Sequence, residues 1–163
     1  LVPGIDDTKD GGKKDREIGD AKIVTEDNAS GDAPSVACGA EGCFITWHGE
    51  EGGAFAAMLD PTQGKVIWRK KFSEKGKRPS VAVNDAGQVA IAFYEAGRIK
   101  MVGVSRDGVG VQSVFARALG DHPRPHLAGG MEKGDWFVAW EDSEPASGAN
   151  FAREVYAARL RCR

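Results

Sequence analysis

The sequence predicts an all-β protein made of three copies of one four-stranded antiparallel unit. Three observations carry this. The first is a recurring opening: "APSVAC" (Ala33 to Cys38), "RPSVAV" (Arg78 to Val83) and "RPHLAG" (Arg124 to Gly129). Each has a Pro, a small or polar residue, an aliphatic residue and an Ala, and Pro34, Pro79 and Pro125 stand 45 and 46 positions apart. The second is the segment after each opening, a turn and then an apolar run that closes on an aromatic: Trp47, Phe93 and Trp140. The third is composition. With 22 Gly among many short apolar runs, turns and strands are favoured over long helices.

The first copy reads "APSVAC", the turn "GAEG", then "CFITW", "AFAAML" and "KVIWRKKF". The second reads "RPSVAV", "NDAGQ", "VAIAF", "RIKMVGV" and "VQSVFARAL". The third reads "RPHLAG", "GMEKGD", "FVAW" and "EVYAARL", with no fourth run before Arg163. The turn after the opening lengthens from copy to copy, as a loop tip tolerates. An orphan run, "AKIVTE" (Ala21 to Glu26), precedes Pro34 at the spacing at which the fourth runs precede Pro79 and Pro125. The third run of the last copy has a rival reading. In "NFAREVYAARLRCR", Phe151 and Val155, and Ala152, Tyr156 and Leu160, lie four apart as on a helix face, and Ala, Arg, Glu and Leu are good helix formers. Its place in the repeat assigns it to a strand.

Four strands per copy at this period is the arithmetic of a β-propeller blade. The chain then divides into a flexible arm, 1–20, too poor in apolar residues to pack, and a three-blade domain, 21–163. Small residues suit the crowded first strand at the ring axis: Ser35, Ala37, Ser80, Ala82 and Ala128. Trp47, Phe93 and Trp140 are expected to pack between blades. Propellers close with four to eight blades, so three make half of a six-bladed ring. Its expected complement is a second chain arranged head to tail, a homodimer in which "AKIVTE" of one chain completes the last blade of the other. The alternatives are a larger propeller whose remainder lies on another polypeptide or is lost to cleavage, and a sandwich of sheets within one chain.

The opening, the aromatic and the blade length resemble the sialidase-like, BNR-related group of bacterial propeller repeats over Ala21 to Arg163. The Asp box of that group is not matched: "SRDGVGVQ" has Ser105 and Asp107 but Val109 where Gly is required. "LDPTQGKVIW" (Leu59 to Trp68) resembles the hairpin of quinoprotein-type propellers in one copy only. That reads as a turn signature and implies no cofactor.

Net charge is −2, without the basic excess of a nucleic-acid binder. No apolar run approaches the roughly 20 residues of a membrane span. The start at Leu1 reads as a mature or trimmed product. Cys38 and Cys43 flank "GAEG" and would face each other across a hairpin, which permits a disulfide; two reduced thiols are the alternative. A disulfide would point to an extracellular, periplasmic or other envelope location. Cys162 is left over. No metal-ligand spacing is present, and no cofactor is expected.

Ligands meet a propeller on the loops between strands two and three and on the connections between blades. Here these supply His48, Glu50, Tyr94, Glu95, Glu141 and Asp142, and from the connections Arg78 and Arg124. Such a mouth suits a sugar, a peptide or a cation; the plainer account is that loop tips are polar because they are wet. A glycan-acting hydrolase is the rival function, since paired carboxylates do acid–base work on glycosides. Repeated, equivalent positions argue against it, because an active site needs unlike groups with different pKa values. There is no nucleophile turn and no phosphate loop. "HPRPH" holds His122 and His126 four apart, but its prolines exclude the helix that would align them, and it reads as a bend into a first strand. The expected function is a non-catalytic binding module.

Overall fold

The computed structural model describes residues 24–25, 31–108, 110–117, 123–143 and 153–161. The expected arm, most of "AKIVTE", His122 and Cys162 lie outside them. Among the described residues, eleven strands form three separate antiparallel sheets. The first holds β1 (Gly31–Gly39), β2 (Gly42–Gly49), β3 (Ala54–Leu59) and β4 (Val66–Ser73) in that order. The second holds β5 (Lys77–Val83), β6 (Val89–Glu95), β7 (Arg98–Val104) and β8 (Gly110–Arg117). The third holds β9 (His126–Gly129), β10 (Asp135–Ser143) and β11 (Arg153–Arg161). Every apolar run of the three copies became a strand, and the helical rival at the C-terminal end is overturned, because β11 pairs with β10 from Asp135–Arg161 to Ser143–Arg153.

The sheets stack blade on blade, with β1, β5 and β9 side by side. Alternation along each strand gives every blade two faces. The front face of the first blade (Ala37, Phe44, Ala56, Met58) buries against the back face of the second (Val81, Ile91, Phe93, Val102, Val104). The front of the second (Ala82, Ala90, Ala92, Ile99, Met101) buries against the back of the third (Leu127, Trp136, Val138, Trp140, Leu160). Phe93 and Trp140 thus pack between blades, as expected from their place in the repeat. Trp47 sits on the back of the first blade, stacked on Phe55 with centroids 5.6 Å apart. A Cβ on Gly31 would come within 2.7 Å of the Trp47 ring and 3.5 Å of the Thr25 methyl. Arg69, on the same face, donates from Nε to the Val24 carbonyl.

A repeated polar clasp ties the axis. Ser35 Oγ accepts from Val81 N at 3.3 Å, and Ser80 Oγ accepts from Leu127 N at 3.1 Å. The hydroxyl one residue after each proline thus holds the amide two residues after the next proline. Cys38 and Cys43 are paired in register and joined by a disulfide. Among the described residues, no helix is long and apolar enough to cross a membrane.

Candidate functional site

Antiparallel pairing places the start of each first strand beside the end of each second strand: Gly31 opposite Gly49, and Lys77 opposite Tyr94. The interblade connections and the loops between second and third strands therefore share one end of the molecule. A cavity of 280 Å³ opens there, lined by Ala33, Pro34, Ser35, Arg78, Pro79, Ser80, Arg124, Pro125 and His126. These are the same three positions, from one residue before the proline to one after, taken from each blade. The threefold sequence repeat has become one concave mouth.

The backbone is strained at this mouth. Ala33 and Arg78, each preceding a proline, have φ of 50° and 51°. A residue before proline prefers the extended region, and a left-handed non-glycine costs on the order of 1–3 kcal/mol. The strain coincides with register shifts between Asp32 and Ser35 and between Lys77 and Ser80. A bulge bends β1 and β5 as they enter the axis and re-aims their side chains. Thr46 Oγ1 reinforces the second bulge by donating to the Pro79 carbonyl at 3.3 Å.

Of the sequence-predicted residues, the structure brings Arg78 and Arg124 together in the cavity. His48 lies outside it, its Nδ1 3.1 Å from Asp32 Oδ1, while its buried Nε2 has no hydrogen-bond partner among the described residues. Glu50 is exposed in the loop after β2. Tyr94 packs against the interface of the second and third blades. Glu95 is committed internally: it takes the Lys100 ammonium on one oxygen and the Ser73 hydroxyl at 2.9 Å on the other. The Lys100 hydrogen bond, aided by Ser73, holds its carboxyl below the usual range against the opposing effect of burial. Glu141 is half-buried and Asp142 buried, both on β10. The hairpin "DPTQG" is a turn held by its own aspartate. Asp60 Oδ1 accepts from Thr62 N, Thr62 Oγ1 and Gln63 N at 2.9, 2.6 and 2.7 Å.

Sequence reasoning missed the rest of the lining. Ser35 and Ser80 read as small residues for a tight axis, and His126 as part of a bend. The signal was available, because the prolines that flagged the repeat mark the rim. Every charged lining side chain is basic, and no lining residue is a carboxylate.

No family model matches the chain, and no curated protein matches its sequence. Solved structures match in shape. The parainfluenza virus 5 hemagglutinin-neuraminidase with ligand DANA aligns with a TM-score of 0.53 at 10% identity, over 74% of this chain and 34% of the viral one. A GH43 endo-arabinanase from Bacillus licheniformis aligns with a TM-score of 0.50 at 10% identity, over 82% of this chain and 53% of the enzyme. Both are β-propeller proteins, and the chain has the architecture of part of such a propeller. It spans about a third to a half of the length of these structures.

Proposed function

We propose that the chain is a non-catalytic propeller module that binds a small anionic ligand, such as an acidic sugar or an acidic peptide, at its axial mouth. The observation that carries the reading is the cavity lining: Arg78, Arg124 and His126 beside the Ser35 and Ser80 hydroxyls, with no carboxylate. Guanidinium groups recognise carboxylate and sulfate through paired charge-assisted hydrogen bonds. The bulges hold this lining in place before any ligand arrives, so less ordering cost remains on binding. A disulfide in the first hairpin supports an extracellular or envelope setting, where such bonds persist.

A glycan-acting hydrolase is the second reading, favoured by the neuraminidase and endo-arabinanase among the similar structures. It needs two carboxyl groups of different pKa about a scissile bond. The cavity lining has none, and Glu95 is tied to Lys100.

The test is a glycan array including carboxylated and sulfated sugars, followed by calorimetry and a hydrolysis assay on each hit. Arg78→Ala and Arg124→Ala each weaken binding roughly 10- to 100-fold, the loss of a hydrogen bond to a charged group, with no turnover in any variant. Tight binding of a neutral sugar that ignores both substitutions would overturn the anionic reading. Turnover abolished by Glu141→Gln would establish the enzyme instead.

A further inference from the structure

We infer that the axial mouth receives the C-terminal end of a peptide whose last side chain is apolar. The inference rests on the anionic reading of that mouth and narrows it to one ligand chemistry. Its basis is the place where the repeat breaks. The residue before the rim proline is Arg78 in the second blade and Arg124 in the third; in the first it is Ala33. All three line the same cavity. Arginine is thus confined to two blades, and the first blade offers Ala33 and Pro34, both apolar. The backbone does not explain the difference, since Ala33 and Arg78 share a left-handed φ, 50° and 51°. Alanine leaves room where the other blades place a long side chain.

What the mouth offers a ligand divides in two. The polar groups are mostly donors. Arg78 and Arg124 only donate. Ser35 Oγ and Ser80 Oγ each give a lone pair to the next blade's amide, and each keeps an O–H to donate. The Pro79 carbonyl already accepts from Thr46, and the lining has no carboxylate. His126 is the one lining side chain whose nitrogen can accept when neutral. The rest is apolar: Ala33 and the rings of Pro34, Pro79 and Pro125.

Such a surface selects among anions. A sugar ring brings several hydroxyl donors, which would meet proline rings and few acceptors, and an unmet donor removed from water is costly. A free amino acid brings an ammonium that no lining carboxylate can pair. The end of a peptide brings neither. Its carboxylate fits the guanidinium donors, and its last side chain, one carbon away, can lie against Ala33 and Pro34. A chain terminus is commonly captured by a nest of backbone N–H groups. Prolines have no N–H to give, and at this rim the two guanidiniums take that part. Size agrees: the cavity's 280 Å³ lies just below the roughly 300–1,000 Å³ of most ligand pockets, room for a chain end and not for an internal stretch.

Calorimetry on the full chain tests this with four probes: a hexapeptide ending in leucine with a free carboxylate, the same peptide amidated, the same peptide ending in glycine, and glucuronate. The leucine acid is expected to bind most tightly. Amidation should weaken it roughly 10- to 100-fold through lost charge-assisted bonds. Glycine should weaken it roughly 10-fold through lost apolar burial. Ala33→Arg, with a far-ultraviolet circular dichroism spectrum like that of the wild type, should cancel the preference for leucine over glycine and still require the free carboxylate. The wild-type comparison stands by itself where that variant fails to fold. No binding of the leucine acid would overturn the inference, as would equal affinity for acid and amide, equal affinity for leucine and glycine, or tighter binding of glucuronate than of any peptide. The anionic reading fails separately: it survives if glucuronate alone binds and both Arg78→Ala and Arg124→Ala weaken it, and it falls if neither substitution affects any acid.

Discussion

At the scale of single residues, Glu95 shows how a polar candidate is absorbed by the architecture. It ends β6, where its carboxylate meets Lys100 from the paired strand and Ser73 from the neighbouring blade. Ser73 Oγ in turn accepts from Gly76 N at 2.7 Å, so the network pins the connection between the first two blades. The ion pair is mostly withdrawn from water, with side-chain exposures of 21% and 16%. Its carboxyl is held below its ordinary value, chiefly by the Lys100 hydrogen bond. A depressed carboxyl stabilises the fold at pH above its unfolded pKa, and that stability is lost as pH falls through the folded one. Thermal unfolding of the wild type and Glu95→Gln should therefore differ most at neutral pH. The gap should close as pH drops below the usual carboxylate range. A gap that stays constant down to strong acid would assign the loss to packing instead of charge.

At the scale of elements, close approach at the axis sets what each strand tolerates. β9 runs so near β5 that a Cβ on Gly129 would lie 2.4 Å from the Val83 carbonyl oxygen and 2.4 Å from Asn84 Cα. Backbone cannot yield there as a flexible side chain could. Gly129→Ala should destabilise by about 1–3 kcal/mol through overpacking. Gly103 in β7 is the control, since a Cβ there meets nothing within 4 Å, and Gly103→Ala should be neutral or slightly stabilising. Urea melts of the two variants separate the cases; equal effects would mean the axial contact is not close-packed. The strands themselves were legible in sequence because their signal is local. Short apolar runs, turn residues and a recurring proline need no knowledge of what packs where. For "EVYAARL" the local pattern alone favoured neither state, and the repeat decided it. The mouth was only half legible. Arg78 and Arg124 stood out by charge, whereas Ser35, Ser80 and His126 acquire meaning only when three first strands converge, which no single stretch encodes. The commitment of Glu95 to Lys100 was hidden for a related reason: it depends on the register of two strands, and a one-residue slip would have separated the pair.

At the scale of the whole molecule, the repeat makes one position its own control. Val36 and Val81 share the same place after their prolines, the same strand and the same face. They differ in exposure, 64% against 4%, because Val81 packs against the first blade while no described blade covers Val36. Val81→Ala removes two buried methyl groups and leaves a cavity, a loss of about 2 kcal/mol at any protein concentration. Val36→Ala, at an exposed position, should cost less than about 0.5 kcal/mol. Denaturant melts of the two variants measure the contrast directly. Equal losses would show that position 36 is as closely packed as position 81, and that the third-strand and fourth-strand neighbours of Val36 do the work that the adjoining blade does for Val81.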